Sequence, residues 1–140
     1  MTQMELYEKV REHRNSFNFF ARKLGLTITR IDKDYAEGEL PVDESFTNPQ
    51  GSVQGGAMFT LADAVGGAAA GCSGRRIATV DASFHYLRPG LHTRLLKART
   101  RLVKSGSMLT VVDVSVYDQD DTLLSEGIFT YALLKTSIFD

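Results

Sequence analysis

Cysteine is almost absent: Cys72 is the only one in 140 residues, so no intrachain disulfide framework can form. A lone cysteine fits a reducing compartment. The three histidines, His13, His85 and His92, are scattered and match no zinc-ligand spacing. Neither sign of charge is in excess. Sixteen basic and 17 acidic residues leave a net charge of −1, which argues against a nucleic-acid binder working through a basic face. Residues 1–14 carry three Glu, one Lys and two Arg, and no apolar segment of signal-peptide type follows. The longest uncharged stretch, Ser45 to Ala62, is interrupted by Asn48, Pro49, Gln50, Gly51 and Gln54, which excludes a membrane span there. Also missing are a G-x-S-x-G nucleophile elbow, a P-loop and a G-x-G-x-x-G fingerprint. These absences lead to the expectation of a cytoplasmic protein with no nucleic-acid or membrane partner. The 43% hydrophobic and 24% charged composition supplies a core for one domain spanning 1–140.

Periodicity divides the chain into elements. Residues 1–25 read as helical. Thr2 and Glu5 have capping-box spacing, Leu6, Val10, Phe17, Phe20 and Leu24 form an apolar face, Asn15-Ser16 is the expected break, and Gly25 is a stop. Strands are expected over 26–31 and 35–42, with a turn at 32–34 and Pro41 at a strand end. A loop follows over 43–51, with Asn48-Pro49-Gln50-Gly51 as turn chemistry. Residues 52–70 read as one helix that is apolar all round and therefore buried on all sides. Its Gly66-Gly67 pair costs helix propensity and implies a close packing partner. Four strands complete the chain, at 77–87, 95–103, 108–117 and 123–134, with hairpins at 104–107 and 118–121. The result is an α+β domain: a six-stranded antiparallel sheet wrapped on one long helix.

Asp63 is the only charged residue among the 30 between Glu44 and Arg75, and it lies within the apolar helix. A buried carboxylate needs a partner or a function, and desolvation moves its proton affinity toward the range of a general base. The alternative is a rim position facing solvent or a basic partner. Gly55-Gly56 open the same helix. Glycines there expose backbone N–H donors at the positive end of the helix dipole, which suits a phosphate or a developing oxyanion. The alternative is a tight loop-to-helix turn. His85 reads as a packed or hydrogen-bonded strand residue and Cys72 as a small buried hydrophobe.

The run from Asn48 to Asp63, NPQGSVQGGAMFTLAD, resembles the signature of hotdog-fold acyl-CoA thioesterases, in particular the PaaI-like (phenylacetate-degradation type) family. Ala78-Thr79-Val80-Asp81 and Tyr86-Leu87-Arg88-Pro89-Gly90 resemble that family's third strand and following turn. The resemblance implies a hotdog fold, a homodimer and a dimer of dimers, hence a homotetramer. It also implies hydrolysis of an acyl-CoA to acid and CoA, with no cofactor beyond the CoA of the substrate. By position, Asp63 matches the catalytic carboxylate and Gly56 the N–H that polarises the thioester carbonyl. Asn48 matches a polar residue that helps place thioester or water, and Thr79 a hydroxyl that holds the water. Gly55, Tyr86, Arg88, Pro89 and Gly90, together with Lys104, Ser105 and Gly106, match substrate-binding stretches along the CoA channel. Arg75 or Arg76 could add to the basic complement of Arg88 and Lys104. Gln54 stands where the family usually has His. An amide can donate a hydrogen bond but cannot titrate near neutrality, which keeps open a non-catalytic acyl-CoA binding or sensing module as the alternative.

Gly56 and Asp63 are seven residues apart, so on one helix they stand about 10 Å apart along the axis. A reacting carbonyl carbon needs its attacking atom within about 3–3.5 Å. One chain cannot place both groups on one thioester, whereas two antiparallel helices related by a two-fold axis can.

Overall fold

The computed structural model describes all 140 residues. Thr2 Oγ1 accepts the Glu5 amide at 3.1 Å and starts helix α1 (Gln3–Phe17). The helix break comes at Asn18 rather than at Asn15-Ser16. Asn15 accepts the Ile28 N–H at 2.8 Å and donates to the Ile28 carbonyl at 3.0 Å, so it ties α1 to the sheet instead of ending it. Asn18 accepts the Ala21 amide at 3.1 Å and caps α2 (Phe19–Leu24), which stops at Gly25 in the left-handed region, φ 86°.

Six strands form one antiparallel sheet: β1 (Thr27–Asp32), β2 (Tyr35–Pro41), β3 (Arg75–Tyr86), β4 (Leu95–Ser105), β5 (Leu109–Tyr117) and β6 (Leu123–Ser137). Their order is β1-β2-β4-β5-β6-β3. The strands match the expected ones, with limits displaced by up to three residues. Ser105 therefore belongs to β4, and the hairpin to β5 turns at 106–108. Gly106 is required there, since a Cβ would stand 2.6 Å from the Leu109 carbonyl oxygen.

Helix α3 (Gly55–Ala70) packs against all six strands. It begins three residues later than expected. Ser52 and Val53 are held in extended bridges to Leu91 and Thr47, and the Val53 amide donates to the Gly90 carbonyl at 3.1 Å. The core joins Leu61 and Val65 of α3 to Leu40, Leu96, Val112, Val114, Phe129 and Tyr131, all fully enclosed. Burial of α3 on all sides holds only for its second half, Val65–Ala70. In the first half Gly56 is exposed, and Phe59, Thr60 and Asp63 are partly open. These four recur at helical spacing and form one strip. The other uncovered feature is β3, an edge strand of 12 residues whose outward side has no partner in the chain. No helix is long and apolar enough to cross a membrane.

Candidate active site

Two groups of side chains flank the open strip, one at each end. The first surrounds Asp63. Its carboxylate Oδ1 accepts the Thr79 hydroxyl at 2.9 Å and the Tyr131 hydroxyl at 3.2 Å, and Tyr131 also lies 2.9 Å from the Asp63 carbonyl. No cation reaches ion-pair distance, so the basic partner considered from sequence is absent. Thr79 and Tyr131 face each other across β3 and β6, and the register shifts immediately afterwards, between Thr79 and Asp81. Such an irregularity beside a polar cluster re-aims side chains along the strand. Burial, then the Asp63 charge, pushes the Tyr131 phenol well above the usual tyrosine range, so it stays a proton donor near neutrality.

Tyr131 was not legible as a site residue, but its effect was. The close partner implied by Gly66-Gly67 is Tyr131. Any Cβ at Gly66 would strike its hydroxyl, and a Cβ at Gly67 would stand 3.6 Å from its Cε1. These glycines admit the tyrosine under the turn that carries Asp63.

The second group lies at the start of α3. Asn48, Gly55, Tyr86, Arg88, Pro89 and Gly90, all expected in the site, line one cleft of about 310 Å³. The Gly55 glycine serves this chain's own packing: a Cβ would sit 3.0 Å from the Tyr86 ring, whose hydroxyl donates to the Gly55 carbonyl at 3.0 Å. Gly56 differs, because a Cβ there would meet nothing within 4 Å. No contact in the chain explains that glycine. The Gln54 side chain is exposed and provides no cap, which leaves the first-turn N–H groups of α3 without a side-chain acceptor. Asn48 organises its loop, accepting the Gln50 and Ser52 amides at 3.0 and 3.2 Å and donating to Ser52 Oγ at 2.9 Å.

Other expected residues lie apart from that cleft. Lys104, Ser105 and Gly106 belong to the β4–β5 hairpin, near the Asp63 end of the sheet. Roughly 20 Å of β3 separates the level of Thr79 from Tyr86, so within one chain the two stretches expected to bind substrate do not meet. Arg88 donates to the Leu123 carbonyl at 2.9 Å and remains exposed. Arg75 is occupied structurally, bonding the carbonyls of Leu134, Ser107 and Leu133. His85 is exposed rather than packed, with Ser83 Oγ at 3.4 Å. Cys72 is buried, and burial pushes its thiol up.

Comparison with known proteins agrees with this architecture. The Escherichia coli acyl-coenzyme A thioesterase PaaI is 27% identical over 99 residues, 71% of each chain. The solved E. coli PaaI protein, from the phenylacetic acid degradation operon, superposes with a TM-score of 0.91 at 20% identity, covering 97% of this chain and 99% of that one. A Streptococcus mutans protein solved bound to acetyl-CoA is 27% identical, with a TM-score of 0.72, covering 78% and 88% of the two chains. Residues 50–125, from the turn after Asn48 to the start of β6, match the family model of the thioesterase superfamily. The chain therefore belongs to the thioesterase superfamily, as a PaaI-like hotdog-fold member.

Proposed function

We propose that the protein hydrolyses acyl-CoA thioesters at sites shared between two copies of the chain. The observation that carries this is the open strip of α3. It starts at an uncapped Gly56 N–H with free space beside it and ends at a carboxylate held by two hydroxyls without a cation. The first is a donor suited to a developing oxyanion, and the second an acceptor suited to activating water or attacking carbon. Separation along the helix prevents one chain from using both on one thioester, and a two-fold partner resolves this. The same pairing would bring the Tyr86–Gly90 cleft of one chain to the 104–106 hairpin of the other, joining the two stretches expected to line a CoA channel. A relative solved with acetyl-CoA and another named as an acyl-CoA thioesterase support CoA esters as the substrate class.

In this reading Thr79 and Tyr131 orient the Asp63 carboxylate, and Thr79 also holds the attacking water. Asn48 shapes the loop ahead of the oxyanion donor, and the exposed Gln54 contributes a hydrogen-bond donor rather than an acid or base. Arg88 and Lys104 meet the CoA phosphates. A panel of acyl-CoA esters tests the proposal with wild type and Asp63→Asn. Wild type should turn over at least one ester, and the variant should lose about 10²–10⁴-fold while remaining folded. Wild-type-like turnover by Asp63→Asn would rule out the mechanism. Tight binding of CoA esters with no turnover by wild type would instead identify a binding module.

A further inference from the structure

One helical turn beyond Asp63 the same face of α3 is buried at Gly67, and there it meets an arginine that the chain leaves unsatisfied. Arg14 follows Tyr7 and Val10 on the inward stripe of α1, where the helical period calls for an apolar residue. Its Nε is closed off from solvent and has no hydrogen-bond partner. It also forms no ion pair. The acidic groups it faces are Tyr131 and Cys72, and burial pushes both upward, so both are neutral near pH 7. The guanidinium lies against the last turn of α3, so close that a Cβ at Gly71 would strike Nη2. The negative end of the α3 dipole makes the charge tolerable there, but no carbonyl of that turn accepts a hydrogen bond from it. A partly buried guanidinium with unused donors is costly unless a ligand completes it.

Arg14 also borders a cavity of about 330 Å³, whose walls include His13, Phe17, Arg76, Ile77 and Leu134 and contain no carboxylate side chain. Arg76, on the same wall, is exposed and makes one bond, to the Asp140 carbonyl at 3.3 Å, whereas Arg14 is the arginine with a nitrogen both closed off from water and unbonded. The cavity adjoins the Asp63 cluster. Ile77 lies two residues before Thr79 on β3, and a Cβ at Gly67 would stand 3.3 Å from Ile77 Cδ1, 3.6 Å from Tyr131 Cε1 and 3.8 Å from Arg14 Nη1. Asp63 and Gly67 are about 6 Å apart along the helix.

We propose that this cavity receives the far end of the acyl group, and that Arg14 selects acyl groups ending in a carboxylate, the mono-CoA esters of short dicarboxylic acids. The inference rests on the acyl-CoA reading above. Phe17, Ile77, Leu134 and Ile138 give the methylenes an apolar side, alongside the polar His13, Asn18 and Arg76. The planar guanidinium matches a terminal carboxylate in a two-bond pairing that a methyl end cannot make.

The test compares pairs of esters of equal length, pentanoyl-CoA with glutaryl-CoA and octanoyl-CoA with suberyl-CoA. Each is assayed on wild type, Arg14→Met and Arg14→Lys, with thermal unfolding of each variant as a folding check. Wild type should favour the carboxylated member of at least one pair by about tenfold or more in kcat/KM. Arg14→Met should remove or reverse that ratio, and Arg14→Lys should keep part of it through charge without the fork. Should Arg14→Met not fold, the ratios of wild type and Arg14→Lys decide. Turnover of the unsubstituted esters with no carboxylate preference in either pair, or a preference unchanged in Arg14→Met, overturns the proposal and leaves the acyl-CoA reading intact. No turnover of these four esters, with turnover of another ester in the wider panel, overturns this proposal alone, and no turnover of any ester in that panel overturns both.

Discussion

At the scale of single residues, the Asp63 cluster contains a phenol whose proton is held more tightly in the folded chain than in the unfolded one. Tyr131 is raised well above its usual range by burial and then by Asp63, and Tyr35 is pushed up to about 12 by burial and its hydrogen bond to Glu37. A group raised by folding contributes fully below the pH at which it titrates unfolded, about 10 for tyrosine. Its contribution is lost as pH climbs from there through the folded value. Stability in urea should therefore hold through neutrality and fall between about pH 10 and 12. In Tyr131→Phe that alkaline fall should be shallower and start from lower stability at pH 7, because the Asp63 carboxylate and carbonyl lose a donor. An unchanged alkaline limb in that variant would contradict the assignment. Asp63 was legible in the sequence because no other charge lies near it in 30 residues. Tyr131 was not, because a tyrosine in an alternating strand looks like any core aromatic until the fold decides which helix it meets.

At the scale of elements, the contact between α3 and β6 depends on Gly66. Alanine is the better helix former by about 1 kcal/mol, yet a methyl at that position would collide with the Tyr131 hydroxyl. Gly66→Ala should thus lose about 1–3 kcal/mol in denaturant unfolding, as overpacking does. The double variant Gly66→Ala, Tyr131→Phe should recover part of that loss, since the second change removes the atom being struck. Additive losses would mean the glycine serves some other contact. Strands and helices were largely readable because hairpins, caps and alternation are local signals: Gly25, Thr2 and the 109–117 alternation each act within a few residues. The start of α3 and the break at Asn18 were misread because distant contacts decide them. Ser52 is drawn into a bridge with Leu91 and the Val53 amide to the Gly90 carbonyl, both far along the chain, and Asn15 is claimed by Ile28. The assignment of α3 as wholly buried was right only for the half that the chain itself covers.

At the scale of the whole molecule, the strip Gly56–Phe59–Thr60–Asp63 and the unpaired side of β3 are open in the single chain, and the proposed chemistry needs a donor and an acceptor that one chain holds too far apart. This is testable by subunit complementation. Gly56→Val fills a space that nothing in the chain occupies, so it should fold while blocking the oxyanion position. Asp63→Asn removes the acceptor at the other end. Each homo-oligomer should be nearly inactive. Co-expressing the two variants under different affinity tags, and purifying dimers that carry both, produces a mixed dimer. In it, one composite site unites the intact Gly56 of one chain with the intact Asp63 of its partner, and the other site carries both lesions. Such dimers should show about half the wild-type activity per dimer, because one of two symmetric sites is whole. If both functional groups instead came from the same chain, every site in the mixed dimer would carry a lesion and activity would stay at the level of the separate variants. Half-activity and near-zero activity are far enough apart that a single preparation, assayed at concentrations where the dimers do not exchange, decides between a shared and a self-contained site.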